Sequence, residues 1–443
     1  MTPFTYNIRA QRVVFGTGSL VQLGAELNAL GLSRALILCT PAQRAQAELV
    51  AELLGAPRVA GVFDQAVMHV PIETARHAQQ VARELGADCA IVVGGGSTIG
   101  LGKAIALDSG LPVIAVPTTY AGSEMTPIYG ITEAGLKKTG NDARVLPRTV
   151  IYDPALSMAL PVALSVTSGI NAIAHAAEGL YARDSNPVMD LMAQEGIRAL
   201  ARAIPAIHAG SALEQARQDA LYGAWLCGTV LGSVGMALHH KLCHTLGGSF
   251  NLPHAEVHTV VLPHALAYNA AAAPHAMERI AAALGTSHAA QGVFDLAHAH
   301  GAPISLRALG MRAEDLDRAC DIALQTPYPN PRPLERTALR ALLQDAYDGT
   351  RPESLALDSH DKTRRGLPRA IDANRRVEEW IRNICLAGQQ LVDHGQRRQR
   401  PIGHLLNALL FQRRALDSRM VMSRHQAQPV IEQWLEGDVF DPF

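Results

Sequence analysis

Histidines cluster between residues 171 and 254, and their spacing could support metal binding or acid–base chemistry. Asn171 and His175 lie four residues apart, as do His240 and His244, so on helices each pair would share one face. His254 follows in the same stretch. Three imidazoles and a carboxylate would hold a divalent cation, but Asn171 contributes a neutral amide, which is a weaker ligand. The segment therefore contains most of a metal site and lacks its one anion.

A glycine-rich segment offers a place for phosphate. Gly94, Gly95, Gly96 and Ser97 follow the apolar run 89–93 and precede a helical pattern. Glycines let backbone amides approach an anion closely, and a helix N-terminus presents unpaired N–H groups to it. An ordinary tight turn between a strand and a helix is the alternative interpretation, because such turns are common.

A second polar segment favours the phosphate interpretation. Thr118, Thr119 and Ser123 follow the apolar run 112–116, and their hydroxyls could meet phosphate, ribose or nicotinamide. Two polar loops that leave the same ends of adjacent strands are expected at a dinucleotide site. Together with the histidines downstream, these loops predict that a dinucleotide cofactor binds.

Composition narrows the class of protein. The 443 residues are 48% hydrophobic with a formal net charge of -1, which gives no electrostatic case for nucleic acid or a membrane surface as a partner. The six cysteines show no CxxC spacing, so we expect reduced thiols in a cytoplasmic protein. Residues 1–12 lack a signal peptide's apolar core, and no run of 18 apolar residues follows.

The first half of the chain alternates strand and helix patterns. Short apolar runs at 35–39, 59–63, 89–93, 112–116 and 149–152 predict buried strands, with helices at 42–54, 72–85 and 98–107 between them. This order predicts an α/β dinucleotide-binding domain over residues 1–158 with a parallel sheet covered on both faces.

The second half changes to helical spacing. Helices are predicted at 165–182, 187–209, 211–232, 238–247, 258–270, 274–284, 313–324 and 335–347, which gives an all-α domain over 159–352. The cleft between the two domains is the expected site. Residues 353–443 form a C-terminal extension with arginine pairs and amphipathic patterns near 371–392 and 401–416, and no motif assigns them a role.

In this order, the motifs resemble the iron-containing alcohol dehydrogenase superfamily and, within it, the maleylacetate reductases. The matching segments are 94–97 with Lys103, 117–124, 152–154, 169–178 and 239–254, and the resemblance covers about residues 6–352. It implies a dehydroquinate synthase-like fold, a homodimer, and reduction of a small dicarboxylate, 2-maleylacetate, to 3-oxoadipate by NADH or NADPH.

The resemblance also assigns residues. Metal-dependent members use an Asp and three His at positions that fall on Asn171, His175, His240 and His254, so Asn171 departs from the general pattern and metal is not expected to be required. Gly100 stands where the phosphate loop usually has Asp, and the segment after the first strand has no acid to select NAD. The implied cofactor-binding residues are Thr40, Gly94, Gly95, Gly96, Ser97, Lys103, Thr118, Thr119 and Ser123.

The implied chemistry explains why a carboxylate could be missing. The substrate's double bond is conjugated to a ketone, so hydride addition produces an enolate, a weaker base than the alkoxide for which an alcohol dehydrogenase uses its metal. Fixed hydrogen-bond donors could stabilise the enolate, and cations could hold the substrate's two carboxylates. His244 or His240 is the expected donor. The catalytic candidates are His244, His240, His175, His254 and Lys241.

Three alternatives remain at this stage. A metal-dependent alcohol dehydrogenase that uses Fe(II) or Zn(II) would tolerate Asn171 as a ligand and would purify with stoichiometric metal. A carbon–oxygen lyase of the dehydroquinate synthase type would need an intact zinc site and a larger basic pocket. A non-enzymatic protein would bind neither NADH nor NADPH.

Overall fold

An α/β unit forms the N-terminal part of the structure. This computed structural model describes residues 4–6, 10–134 and 136–353, and for residues 136 and 137 it describes the backbone alone. The strands are β1 (Arg12–Phe15), β2 (Ala35–Leu38), β3 (Val59–Phe63), β4 (Cys89–Gly94), β5 (Val113–Pro117), β6 (Ile128–Glu133), β7 (Leu136–Asn141) and β8 (Thr149–Tyr152). The helices of this part are α1 (Leu23–Ala29), α2 (Arg44–Leu54), α3 (Ile72–Glu84) and α4 (Gly96–Ser109).

Six of these strands form one parallel sheet that is buried on both faces. Their order is β1-β8-β5-β4-β2-β3. Successive side chains of a strand point to opposite faces, so Leu36 and Leu38 enter one hydrophobic core while Ala35 and Ile37 enter another. Helices cover each face, as the crossovers between parallel strands require. The predicted α/β class is confirmed.

The sequence patterns missed two features of this unit. Strand β1 pairs with β8 in parallel, and strands β6 and β7 form an antiparallel hairpin outside the main sheet. Helix α2 begins at Arg44, two residues later than predicted, because Pro41–Gln43 form a short 3-10 turn with proline at its start. Helix α4 begins at Gly96, two residues earlier than predicted.

Helices make up the rest of the described chain. They are α5 (Val162–Gly179), α6 (Pro187–Ala209), α7 (Leu213–Ser233), α8 (Leu238–Phe250), α9 (His254–Asn269), α10 (Pro274–Leu284), α11 (Ala289–Ala299), α12 (Leu316–Gln325) and α13 (Arg336–Asp348). The predicted all-helical character of this part is confirmed, although α11 was not predicted. Helix α9 begins four residues before its predicted start, so His254 lies in its first turn.

The α/β unit and the helices meet where two glycines cross. Gly122 has φ +78°, and a Cβ on it would lie 3.1 Å from the Cα of Gly228 in α7. A Cβ on Gly228 would in turn lie 2.9 Å from the Cα and the carbonyl oxygen of Gly122. Only two glycines allow this approach, which brings the loop after β5 against the helices.

Five of the six cysteines lie in the part of the chain that the structure describes. The five cysteines there are buried and unpaired. Within these described residues, no single helix is long and apolar enough to cross a membrane. Helices α7 and α8 pass that test only as a pair, which bends by 96° between them. The helices predicted near 371–392 and 401–416 lie outside the described residues.

Candidate active site

A cavity of about 1430 Å³ lies at the carboxyl ends of the sheet strands, against the helices. Thr40, Gly95 and Thr118 line it after β2, β4 and β5, and His175 and His240 line it from α5 and α8. Its volume exceeds the roughly 300–1,000 Å³ of typical small-ligand pockets. A dinucleotide and a small substrate would therefore fit together.

Most residues singled out from the sequence line this one cavity. Gly94 and Lys241 are not among its lining residues. Their predicted roles in binding and catalysis remain predictions. The predicted residues that the cavity brings together are Thr40, Gly95, Gly96, Ser97, Lys103, Thr118, Thr119, Ser123, Asn171, His175, His240, His244 and His254.

The glycine loop is shaped so that a phosphate can approach its backbone. Gly94 has φ +154°, and a Cβ on it would lie 2.6 Å from side-chain oxygens of Gln43 and Thr98. A Cβ on Gly95 would lie 2.8 Å from the side chain of Thr119. The hydroxyl oxygen of Thr98 is buried at the start of α4 with no hydrogen-bond partner among the described residues. This arrangement fits a pyrophosphate at the N-terminus of α4.

Lys103 holds the loop that follows β5. Its ammonium donates to the carbonyl oxygens of Ser123 (2.6 Å) and Ile128 (2.7 Å), and it lies 3.0 Å from the hydroxyl of Thr126. Burial lowers the pKa of Lys103 to about 7, and the nearby charge of Glu124 opposes that shift. These contacts fix the position of the loop after β5.

A chain of hydrogen bonds links the site residues predicted on α5, Asn171 and His175, to His240 on α8. The amide nitrogen of Asn171 lies 3.4 Å from Nε2 of His175, whose Nδ1 lies 2.9 Å from Nε2 of His240. Nδ1 of His240 lies 2.8 Å from Glu178. The i,i+4 pair on α5 therefore does converge with α8, as its spacing predicted.

Glu178 caps helix α8. Its two carboxylate oxygens accept from the backbone N–H groups of Ala237 (2.8 Å), His239 (2.8 Å) and His240 (3.3 Å). These groups belong to the helix N-terminus, where orphan donors and the helix dipole both favour an anion. Glu178 is fully buried, and the cap satisfies its charge. The sequence offered the residue as part of the α5 motif but gave no hint of this role.

The cap sets the protonation of the histidine chain. Because Glu178 accepts hydrogen bonds, we assign the hydrogen of His240 to Nδ1, which leaves Nε2 to accept from Nδ1 of His175. Burial lowers the pKa of His175 to about 4 and holds that of His240 well below its usual value, so both rings are neutral. Nε2 of His175 faces the carbonyl oxygen of Ala121 at 3.2 Å and the amide nitrogen of Asn171 at 3.4 Å, and in this tautomer only the amide can donate to it.

His244 has a partner that the sequence did not reveal. The hydroxyl of Tyr328 lies 3.0 Å from Nδ1 of His244, and both residues line the cavity. Burial, followed by the charge of Glu178, raises the pKa of Tyr328, so the phenol keeps its proton and donates it. His244 then carries its own hydrogen on Nε2. Lys241 does not line the cavity, and its ammonium lies 2.9 Å from the hydroxyl of Thr326 and 5.7 Å from the ring centroid of Tyr328.

His258 is a further residue that was missed, although it lies four residues after His254. It is fully buried and lines the cavity. Its ring centroid lies 4.2 Å from that of His254 and 5.0 Å from that of His240. Burial, and then the neighbouring histidines, hold its pKa well below the usual value.

The four expected metal-ligand positions do not fit a tightly held divalent ion. The four side chains would all be neutral ligands: Asn171, His175, His240 and His254. In addition, a hydrogen bond joins Nδ1 of His175 to Nε2 of His240, so these two nitrogens face each other. A second histidine group, His239, His240 and His258, has ligand nitrogens within 4.8 Å of one another, but Nδ1 of His240 is taken by Glu178. Neither set includes an anion that would offset the ion's charge.

Comparison with known proteins identifies the family. Residues 10–154 match the model of iron-containing alcohol dehydrogenase, and residues 165–347 match the C-terminal model of the Fe-containing alcohol dehydrogenase family. The chain is 64% identical over 352 residues to a maleylacetate reductase of Burkholderia cepacia, which covers 80% of this chain and 100% of that relative.

Solved structures agree with the sequence comparison. A maleylacetate reductase from Rhizobium sp. strain MTP-10005 superposes with a TM-score of 0.76 at 55% identity, over 80% of this chain and 100% of that one. A 1,3-propanediol oxidoreductase superposes with a TM-score of 0.72 at 27% identity, over 78% and 100%. The fold and the two polar loops define an oxidoreductase that uses a nicotinamide cofactor. The chain belongs to the iron-containing alcohol dehydrogenase family, in its maleylacetate reductase branch.

Replacing Gly95 by alanine should weaken cofactor binding. The new Cβ would meet Thr119 at 2.8 Å and stand where the backbone must approach phosphate, so we expect at least a roughly tenfold rise in the Kd for NADH, measured by fluorescence titration. Gly248→Ala is the control, because its Cβ would have no neighbour within 4 Å. Equal cofactor affinity in the two variants would show that the phosphate does not bind at this loop.

Glu178→Gln should destabilise the protein and disturb α8. The amide nitrogen of glutamine cannot accept, so at least one buried N–H group of the helix N-terminus loses its partner, at a cost of about 3 kcal/mol. Denaturant unfolding would measure the loss. Glu195→Gln is the matched control, because that carboxylate lies on the solvent-facing side of α6 and, among the described residues, pairs only with Arg198. Unfolding midpoints that coincide in the two variants would show that the cap contributes little.

Proposed function

We propose that this protein reduces the carbon–carbon double bond of 2-maleylacetate with NADH or NADPH and releases 3-oxoadipate. The observation that carries the proposal is the similarity to maleylacetate reductases over their whole length, at 64% identity for the Burkholderia cepacia relative. The geometry supports it, because a dinucleotide loop and a group of neutral imidazoles border one cavity. The buried, unpaired cysteines of the described residues support a cytoplasmic location.

The cofactor fits the loops after β2, β4 and β5. When bound, the reduced nicotinamide supplies the hydride. The N–H groups at the start of α4 hold the pyrophosphate, and Lys103 keeps the loop after β5 in place. Thr40 stands at the end of β2, and its hydroxyl donates to Gln43 at 3.0 Å. Without a carboxylate there, a ribose with or without a 2′-phosphate is accepted.

His244 and Tyr328 support the chemical step. Hydride addition to the alkene carbon distant from the ketone moves an electron pair onto the ketone oxygen. The Nε2–H of His244 stabilises this enolate, while Tyr328 holds the tautomer through its bond to Nδ1. The Nε2 proton of His244 then passes to the adjacent carbon as the ketone re-forms, the hydroxyl proton of Tyr328 moves to Nδ1 of His244, and solvent reprotonates Tyr328.

We further propose that the reaction proceeds without a metal. The side chains at the four ligand positions are all neutral ligands, and two of them, His175 and His240, are hydrogen-bonded to each other. An enolate accumulates on a conjugated ketone, and hydrogen-bond donors preorganised in a buried site can stabilise it. The competing function is a metal-dependent alcohol dehydrogenase, which the family name favours and the donor set does not.

Chelation should leave activity intact. Dialysis against EDTA should change the rate of NADH oxidation with maleylacetate by less than about twofold, because no step depends on a Lewis acid. Metal content is measured on the same sample. The matched variant Asn171→Asp should raise the affinity for Zn(II), since it adds the missing anion. If EDTA abolishes turnover and Fe(II) or Zn(II) restores it, the metal-dependent alternative is correct.

His244→Ala should lower kcat by roughly a hundredfold or more, the range for loss of a general acid or an oxyanion donor. Tyr328→Phe should lower kcat roughly tenfold, as expected for loss of one hydrogen bond of about 1.4 kcal/mol. The double variant should be no slower than His244→Ala, because Tyr328 acts through that ring.

Stopped-flow and steady-state kinetics would provide these values, with Tyr268→Phe as the control. The Tyr268→Phe variant loses the hydrogen bonds of its hydroxyl to the carbonyl oxygen of Pro333 and from the N–H of Glu335, but Tyr268 does not line the cavity. Additive losses in the double variant would show that Tyr328 acts independently. A His244→Ala enzyme with near-normal kcat and a lowered Tm would assign that ring to packing.

A further inference from the structure

The proposed substrate poses an electrostatic problem for this cavity. Maleylacetate carries two carboxylates, yet among the described lining residues there is no arginine and one lysine. That lysine, Lys103, is directed at backbone carbonyl oxygens. Lys241, the cation expected from the sequence, lies outside the lining and contacts Thr326. The described lining therefore offers a carboxylate no cationic side chain that is not already directed at other groups.

The first turn of α9 supplies suitable groups. Pro253, His254 and Ala255 line the cavity, and the first N–H groups of any helix have no partners within it. Two other helix N-termini at the cavity are already assigned. The start of α4 receives the cofactor pyrophosphate, and the start of α8 is neutralised by Glu178. Among the described residues, no side chain makes a capping hydrogen bond to the N-terminus of α9.

His258 provides a second and independent observation. It is fully buried, yet neither ring nitrogen has a hydrogen-bond partner among the described residues, which is costly for a polar group. Helical side chains tilt toward the N-terminus, so its ring covers the first turn and meets the ring of His254 at 4.2 Å. No described residue bonds to this ring, so an anion at the turn would give it a partner.

Two other residues of α9, Glu256 and His264, differ from His258 in their position relative to this turn. Glu256 is the acidic residue of this turn and also lines the cavity, but it lies two residues from both His254 and His258, so its side chain leaves the helix about 200° around from theirs, and it makes no capping hydrogen bond. His264, on the same helix, also has a buried and unpartnered ring nitrogen, but it does not line the cavity. His264 is therefore a natural comparison for His258.

We propose that the first turn of α9 and the imidazole of His258 form a subsite for one carboxylate of the substrate. The inference rests on the proposed function and identifies His258 as a positioning residue. Backbone N–H groups and the ring N–H donate to the carboxylate together, which is a charge-assisted arrangement. The bond exists in the ground state and the transition state alike, so it governs binding more than the chemical step.

The test compares His258→Leu with His264→Leu in the full-length protein. We expect the first to raise the KM for maleylacetate, and the Ki of 3-oxoadipate as product inhibitor, by roughly tenfold to a hundredfold. Its kcat should change less than about threefold, and its Kd for NADH should be unchanged. His264→Leu should leave KM and Ki unchanged. His258→Gln keeps one N–H donor and should recover most of the lost affinity.

A backbone variant tests the same subsite should His258→Leu fail to fold. Ala255→Pro removes an N–H from the first turn of α9, where proline is tolerated, and should raise KM. Ala290→Pro makes the same change at the start of α11, away from the cavity, and should not. Unchanged KM and Ki in both Ala255→Pro and every folded His258 variant would overturn the subsite. Wild-type protein that fails to oxidise NADH with maleylacetate would instead overturn the proposed function.

Discussion

The carboxylate of Glu178 at the start of α8 is the interaction on which the site depends. It joins α5 to α8 through three backbone N–H groups and the ring of His240, all in the protein interior. A buried charge is costly unless its hydrogen-bonding capacity is filled, and a helix N-terminus fills it. The same bond fixes which nitrogen of His240 carries hydrogen. The order of donors and acceptors back to Asn171 follows from that choice.

A second constraint places the cofactor loops beside this histidine chain. The loop after β5 crosses α7 at Gly122 and Gly228, where any side chain would force the backbones apart. A Cβ on Gly122 would also lie 3.4 Å from His175, so the crossing sets the loop directly against the imidazole. Lys103 then ties this loop to α4. The cavity is therefore a consequence of close backbone packing as much as of its polar side chains.

Local signals explain what the sequence could predict. Both ends of helix α6 were predicted correctly, because each end carries a local signal. Pro187 begins the helix after the capping residue Asn186, and Gly210 ends it in the left-handed conformation. The i,i+4 pairs and the glycine loop likewise depend on nearby residues. Strand β1 depends on pairing with β8, well over a hundred residues away, and its four residues carry little pattern. Tyr328 reaches His244 from a loop between α12 and α13, and no periodicity marks such a residue.

The amide at position 171 also follows from the charge of the proposed substrate. A carboxylate of the same shape would add a buried anion beside neutral imidazoles, and without a cation it would repel a dianionic substrate. Glu178 does not raise this difficulty, because the backbone N–H groups at the N-terminus of α8 stabilise its charge. An amide keeps the size of the ligand position, and its nitrogen donates to His175. Asn171 thus suits a site that binds anions and stabilises an enolate by hydrogen bonds, where aspartate suits one that holds a cation.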